Sequence, residues 1–376
     1  MFDCLVVGAG PGGSAAAYQL AKVGRSVLLL EKAALPRYKP CSGAVSPSIA
    51  GWFDFDFESV IDLKVRRVRY TWQLGDAVDA ELQTSEPIWM VKREVFDQFL
   101  VTQAQRQGVE LKDATAVTGI EFQGDSWQVR TDLGAFAGRY LIAADGASGP
   151  MADWLGFKPH KLRQASVLEV RTAESTADSA LSFEFGLVKN GCLWSFPKAQ
   201  GYSIGVSAFL GGDLKDSRPP LSQYAPSFGV SVEQGQVYDQ ALKFWDGNRP
   251  LHTQRAVVVG EAAAMVDPLS AEGIRPAIFS GLKAAAAIDR ALSGETDALA
   301  TYTETIHAEW GADMQWAQRI ASVFFRFPKI GYRVGIKRPS ATERLGQLLA
   351  GDIHYSDIAN RVIKRMSTSW LPGRGS

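Results

Sequence analysis

Blocks of apolar and polar positions change period along the chain, and each change marks an element. Phe2–Val7 is a continuous apolar run of strand type; Gly8-Ala9-Gly10-Pro11-Gly12-Gly13 interrupts it, and an Ala-rich segment of helical period, Ser14–Lys22, follows. Gly24 stands where a left-handed residue would end that helix. A second apolar run, Ser26–Leu30, stops at Glu31, and the prolines of Leu35–Gly43 then oppose regular structure. Val65–Trp72 and Ala77–Leu82 alternate loosely about Gly75-Asp76, which predicts an antiparallel pair in a different layer from the parallel strands. From Val91 to about Gln107 the spacing of Val95, Phe96, Phe99 and Leu100 predicts a helix, stopped by Gly108. Strands are predicted at Val109–Leu111, Thr115–Phe122, Ser126–Thr131 and Tyr140–Ala147, the last carrying Asp145-Gly146.

From Ser166 to Ala208 the period becomes two. Phe183, Phe185 and Leu187 alternate, Asn190-Gly191 signals a tight hairpin, and Cys192, Trp194 and Phe196 share one face of the returning strand. Tyr202–Phe209 adds a third run to this meander. His252–Val259 reads as one continuous buried strand ending at Gly260-Glu261. A long Ala-rich helix, Ala277–Leu292, follows, with Pro276 suited to its first turn. From Ala298 onward the pattern is helical, broken at Pro328, Pro339 and Gly351, and Ser369–Ser376 has the composition of an unstructured end. The order predicts an α/β protein. A Rossmann-type dinucleotide-binding domain is assembled from residues 1–60, 90–160 and 250–295. An antiparallel-sheet substrate domain comprises 61–89 and 161–249, and a helical C-terminal segment covers 296–376.

At 376 residues the chain is long enough for two domains. Its 40 Lys plus Arg balance 40 Asp plus Glu, so bulk charge argues against a nucleic-acid partner. Cys4, Cys41 and Cys192 are too scattered for a disulfide framework or a metal site, and His160, His252, His307 and His354 lack ligand spacing, so no metal is expected. A reducing, cytoplasmic location is expected. No apolar stretch is long enough to span a bilayer, and the early glycine loop leaves no room for a cleavable leader.

The candidate chemistry starts in the first thirty residues. Strand, glycine loop, helix, strand and acid follow in the order a dinucleotide site needs. Gly8 permits the tight turn, Gly10 lets the backbone approach a pyrophosphate, and Gly13 packs helix on strand. The helix N-terminus then faces the anion, and Glu31 is placed to accept from ribose hydroxyls. Two remote stretches complete a flavin site. Asp145-Gly146 supplies a turn near the phosphates, and Gly260-Glu261 offers an acid for the ribityl hydroxyls. A helix beginning near Gly273 would aim its positive end at the flavin ring, where reduced flavin carries negative charge. A nicotinamide site would need only the first unit, so the cofactor read here is FAD.

This set resembles the para-hydroxybenzoate hydroxylase superfamily of FAD enzymes, and more narrowly the geranylgeranyl reductase family. Pro36–Gly43 is similar to that family's P-C-G-G loop, and Met90–Leu100 to its R-x-x-F-D-x-x-L. Glu272-Gly273-Ile274 with Ser280-Gly281 resembles G-E-G-I…S-G, Trp194–Pro197 the end of Y-x-W-x-F-P, and Gly351-Asp352-Ile353 with Tyr355 a C-terminal motif. The resemblance covers about Met1 to Met366. Glu261 stands where the superfamily usually has Asp, Ser42 replaces a glycine and Cys192 the tyrosine. The implied FAD-binding residues are Gly8, Gly10, Pro11, Gly12, Gly13, Glu31, Lys32, Cys41, Ser42, Gly43, Arg93, Val117, Asp145, Gly146, Glu261, Gly273 and Ile274.

The implied activity is reduction of carbon–carbon double bonds in an isoprenoid chain, with hydride from reduced FAD and a proton from a protein group or water. Cys41 is the candidate acid; among the cations Arg37 and Lys39 it is equally a buried thiol in a basic loop, or a thiolate. Trp194 and Phe196 would line an apolar channel, and Arg275, Arg37 or Lys39 would grip a diphosphate head. NADPH or a small electron-carrier protein would supply the electrons. Arg319–Arg344 mixes aromatics with basic residues, which suits either a peripheral membrane contact or a helix packed on the FAD domain. The competing readings are an aromatic-ring flavin monooxygenase and a redox-silent FAD protein.

Overall fold

The computed structural model describes residues 1–173, 176, 178–212 and 214–359. Ser369–Ser376 lies outside them. The chain folds as a mixed α/β protein on two large sheets and a small one. In the first sheet, Phe2–Val7 lies at the centre, parallel to both Val27–Leu30 and Gly134–Ala143. Ala256–Val258 and Glu110–Lys112 extend it on either side, again parallel. The inner stretches Cys4–Val7, Val27–Leu30 and Tyr140–Ala143 are apolar and buried, as the middle of a covered parallel sheet requires. Leu5, Leu28, Leu29, Leu141 and Ile142 are wholly buried.

The helix Pro11–Lys22 can lie close beneath this sheet because alanine and glycine dominate its buried side. Arg93–Arg106 and Ile274–Leu292 pack alongside it. Both helices at the glycine loop begin a few residues earlier than their apolar spacing suggests, since Pro11 and Pro276 fit their first turns.

The second sheet has seven strands in the order Gln236–Leu242, Arg163–Val170, Gly201–Ala208, Gly191–Lys198, Leu181–Phe185, Arg67–Trp72, Gly75–Glu81. All neighbours are antiparallel except Leu181–Phe185 and Arg67–Trp72. One face is closed by the short helices after Arg218, around Leu193, Ile204 and Tyr224. The other is covered by the C-terminal helices, with Phe209 stacked on Phe325 at 4.6 Å and Phe185 edge-on to Phe324. Among the described residues no helix is long and apolar enough to cross a membrane.

Three local expectations are corrected. His252–Val259 is not one strand: His252–Thr253 turns back on Ala256–Val258. The polar Gln254-Arg255 pair makes the turn, with Arg255 at φ +49°. Asn190-Gly191 is not a two-residue hairpin turn. Phe185 pairs with Cys192, and the loop between them is held by the buried Val188, with Asn190 left-handed at its end. Val65–Trp72 divides at Arg66. Leu63–Val65 joins Ile88–Met90 and Ala44–Val45 in the small sheet, and Arg67–Trp72 enters the large one.

Candidate flavin site and its apolar neighbour

A cleft of about 480 Å³ opens where three segments of the first sheet end together. Its walls include Gly8, Gly10, Pro11, Gly12, Glu31, Lys32, Cys41, Arg93, Val117, Asp145, Gly146, Glu261, Gly273 and Ile274. Gly13, Ser42, Gly43, Trp194, Phe196 and Arg275 lie outside that lining.

The glycines have distinct tasks. Gly8 has φ +104°, and a side chain there would collide with the Ala144 carbonyl. A side chain on Gly13 would collide with the Gly8 carbonyl oxygen, so Gly13 is the packing glycine beneath the loop. Gly10 faces open space, where an added carbon would meet only an Arg37 nitrogen at 3.9 Å. A carbon on Gly12 would lie 2.9 Å from the Ala277 oxygen, and one on Gly281 would collide with the Gly12 carbonyl. The helices Pro11–Lys22 and Ile274–Leu292 therefore cross in backbone contact, and their N-termini open on the same cleft. Neither has a side-chain cap, which leaves first-turn N–H groups for an anion.

Glu31, at the end of Val27–Leu30, is held by the N–H groups of Ala9 (3.0 Å) and Ala33 (3.2 Å) and by Arg37 (3.3 Å). Asp145 accepts from Met151 N through Oδ2 at 2.9 Å, while its Oδ1 is buried without a partner among the described residues. Burial pushes this carboxyl up from its ordinary range. Glu261 takes Lys39 at 3.4 Å through Oε2, and its Oε1 is likewise orphaned. Buried acceptors without partners are costly. Two of them in one cleft with two uncapped helix N-termini call for a ligand with hydroxyl donors and a central anionic group. The adenosine, pyrophosphate and ribityl parts of FAD have that order, so the residues fit the cofactor.

Cys41 is half-buried at the cleft's edge, with Gly43 N donating to its sulfur at 3.4 Å. The cations around it are not those expected. Arg37 is taken up by Asp97 (2.9 Å) and Glu31, and Lys39 by Glu261. Instead Arg93 and Lys198 interact electrostatically with Cys41. Arg93 is fixed by a bidentate bond to Asp97, at 2.8 Å on both arms.

Lys198 follows directly on the Trp194–Pro197 motif without belonging to it. It is buried, and its Nζ donates to the carbonyls of Ser42 (2.5 Å) and Val91 (3.0 Å). Burial holds its ammonium below the usual lysine range, opposed by Glu169. The signal was present: Lys198 continues the period-two face of Cys192, Trp194 and Phe196. Lys198→Met is expected to retain flavin but loosen the Cys41 loop. Thiol labelling of Cys41 should accelerate by about tenfold, the order of one lost charge-assisted hydrogen bond; an unchanged labelling rate would contradict this.

Trp194 donates through Nε1 to Ser42 Oγ and lies flat over Gly205. Phe196 packs edge-on to Phe183 at 5.4 Å, and Phe183 stacks on Tyr70 at 5.5 Å. These rings belong to the apolar cluster between the second sheet and the C-terminal helices, not to the cleft wall. Ala271 joins the two, since it lines the cleft and packs on the cluster. The loop carrying it is braced by the buried Asp267, which accepts from Leu269 N (2.7 Å), Ser270 N (3.0 Å) and Tyr355 Oη (2.7 Å). Tyr355 of the C-terminal motif thus acts on the site through Asp267. Arg275 lies outside the cleft lining. Its guanidinium is half-buried, ion-paired to Glu272 at 3.0 Å and 5.4 Å from the Trp310 ring centre.

A parallel sheet with a glycine-rich turn, an acid after its second strand and a third acid-bearing segment at the same crevice defines an FAD-binding fold. The FAD binding domain family matches residues 1–189, half of the chain, and the chain belongs to it. A digeranylgeranylglycerophospholipid reductase of Methanocaldococcus jannaschii is 28% identical over 315 residues, 78% of each chain. A geranylgeranyl bacteriochlorophyll reductase-like protein of Thermoplasma acidophilum has TM-score 0.77 at 20% identity, covering 93% of this chain and 91% of that one. A flavin-dependent brominase has TM-score 0.72 at 19% identity, covering 98% and 99%. The two structures show the shared fold.

Proposed function

We propose that this chain is an FAD-dependent oxidoreductase that reduces carbon–carbon double bonds of an isoprenoid, geranylgeranyl-type substrate. Cys41 carries the reading. Its thiol lies at the edge of the cleft, in a loop that Trp194 and Lys198 tie to the apolar cluster. FAD, when bound and reduced, supplies the hydride. The protein's tasks are to hold an apolar chain against the cleft, exclude water there, and provide a proton for the second alkene carbon. Cys41 gives that proton from Sγ. Arg93 and Lys198 stabilise the thiolate left behind, and solvent at the half-buried loop restores the proton. The named relatives of reductase type support this reading, as does the family loop Pro36–Gly43.

The one dinucleotide fingerprint in the sequence, Gly8–Gly13, is assigned to FAD, so NADPH or a reduced carrier visits to donate electrons. The three candidate head-group cations, Arg37, Lys39 and Arg275, are all ion-paired to carboxylates. Tail recognition by the apolar cluster therefore dominates over head recognition in this proposal.

The test is anaerobic. The flavin is reduced with dithionite, prenyl diphosphates and prenylated lipids are added, and flavin absorbance is followed. Reoxidation by a prenyl compound without oxygen is the expected outcome. Reoxidation by oxygen alone, coupled to substrate hydroxylation, would instead make the protein a monooxygenase, and no substrate-linked reoxidation at all would make it redox-silent.

A further inference from the structure

The C-terminal helices carry two opposite apolar stripes, and only one has a partner. Ala321, Phe325, Tyr332 and Ile336 face inward and are buried on the second sheet. Val323, Phe327, Ile330 and Val334 face outward at spacings of four, three and four, and are 66%, 55%, 62% and 52% exposed. The backbone continues through them despite Pro328, with Phe327 N bonded to Val323 O and Gly331 N to Phe327 O. Four large apolar side chains in line are unlike the scattered exposure of an ordinary surface.

The charge around the stripe is one-sided. The whole chain is balanced, yet between Asp313 and Glu343 it carries six Lys and Arg and no carboxylate. Lys337 is paired with Asp76 at 2.5 Å, and Arg319 lies over Trp316. Arg326, Lys329, Arg333 and Arg338 are exposed and have no carboxylate partner among the described residues. A second copy of this chain docked about a two-fold axis would bring these like charges together. An anionic bilayer meets both features: acyl chains take the apolar stripe, and lipid phosphates take the flanking guanidinium and ammonium groups.

We infer that residues 319–338 form a peripheral docking surface for an anionic membrane, with Val323, Phe327, Ile330 and Val334 inserted at the acyl boundary. The opposite face of the same helices closes the apolar cluster around Phe196 and Phe209. Docking there would set that cluster beside the bilayer. This last consequence rests on the prenyl reading above; membrane binding itself does not.

The experiment uses the full-length FAD-loaded protein in co-sedimentation with phosphatidylcholine vesicles, with and without phosphatidylglycerol. Binding to the mixed vesicles, weakened by salt, is expected, with little binding to phosphatidylcholine alone. Phe327→Ser/Ile330→Ser should reduce the partition coefficient by at least about tenfold, from the lost apolar insertion. Arg326→Gln, Lys329→Gln and Arg333→Gln should each reduce it about fivefold on anionic vesicles only. All these positions are exposed, and retained flavin absorbance reports a folded holoenzyme separately from turnover. Absence of binding, equal binding to both vesicle types, or wild-type binding by the double Ser variant would overturn the inference. So would a solution dimer dissociated by Phe327→Ser, which would give the stripe to a second copy.

Discussion

Gly13→Ala is expected to yield a protein that no longer retains FAD. The added carbon would collide with the carbonyl oxygen of Gly8 and lie 3.1 Å from Ala144 Cβ. Overpacking typically costs about 1–3 kcal/mol where neighbouring side chains can give way. Here the obstacle is main chain, and that main chain is fixed, with Gly8 N bonded to Leu30 O at 2.8 Å. The loop must move away from the pyrophosphate position to relieve the clash. A loss of at least about 3 kcal/mol corresponds to a hundredfold weaker FAD affinity or more. Flavin fluorescence titration measures it. Gly24→Ala is the control: Gly24 has φ +85° but nothing within 4 Å, so it should cost about 1–2 kcal/mol of stability and leave flavin binding intact. Equal flavin retention by wild type and Gly13→Ala would show that the loop does not hold the nucleotide.

Cys41→Ala is expected to keep FAD and to lose the chemistry. The groups that would hold FAD in the proposed site, the glycine loop, Glu31, Asp145 and Glu261, make no hydrogen bond to the thiol among the described residues. Removing a positioned general acid typically costs about 10²–10⁴-fold. The reduced flavin of Cys41→Ala should therefore be reoxidised by a prenyl substrate slower by that factor. Cys41→Ser, which keeps a donor at the same place, should fall in between. Undiminished turnover in Cys41→Ala would remove the thiol from the mechanism and leave water as the proton source.

Much of the nucleotide half was legible because its signals are local. Glycine spacing, the apolar run before it and the acid after the next strand all lie within thirty residues, and Gly8 and Gly13 each perform a steric task that no larger residue could. The errors fall where non-local packing decides. His252–Val259 was read through two polar residues, Gln254 and Arg255, that make a turn once Ala256–Val258 pairs with Gly134–Ala143. Asn190-Gly191 has the composition of a tight hairpin, but the burial of Val188 lengthens the loop. Arg275, a head-group candidate by sequence, is ion-paired in the structure to Glu272 three residues before it. Lys198 is hard to single out in sequence, because a lysine after a proline has the composition of a surface turn. Only the tertiary fold brings two unpaired carbonyls, of Ser42 and Val91, to its ammonium.

The outer stripe of the C-terminal helices shows a different limit. Sequence alone left two uses open for the aromatics and arginines of this segment. The structure assigns Phe324, Phe325 and Tyr332 to packing and leaves Phe327 and Ile330 in the open. Helical periodicity identifies both stripes, but not which of them the rest of the chain covers.

The central claim is that electrons held in the nucleotide cleft pass to an alkene held by the neighbouring apolar cluster. Its most direct measurement is the mass of the prenyl compound recovered after a single anaerobic turnover of the pre-reduced holoprotein. The account predicts a product heavier by two hydrogen atoms for each flavin oxidised. Recovery of unaltered prenyl compound, with the flavin still reduced until oxygen is admitted, would contradict it.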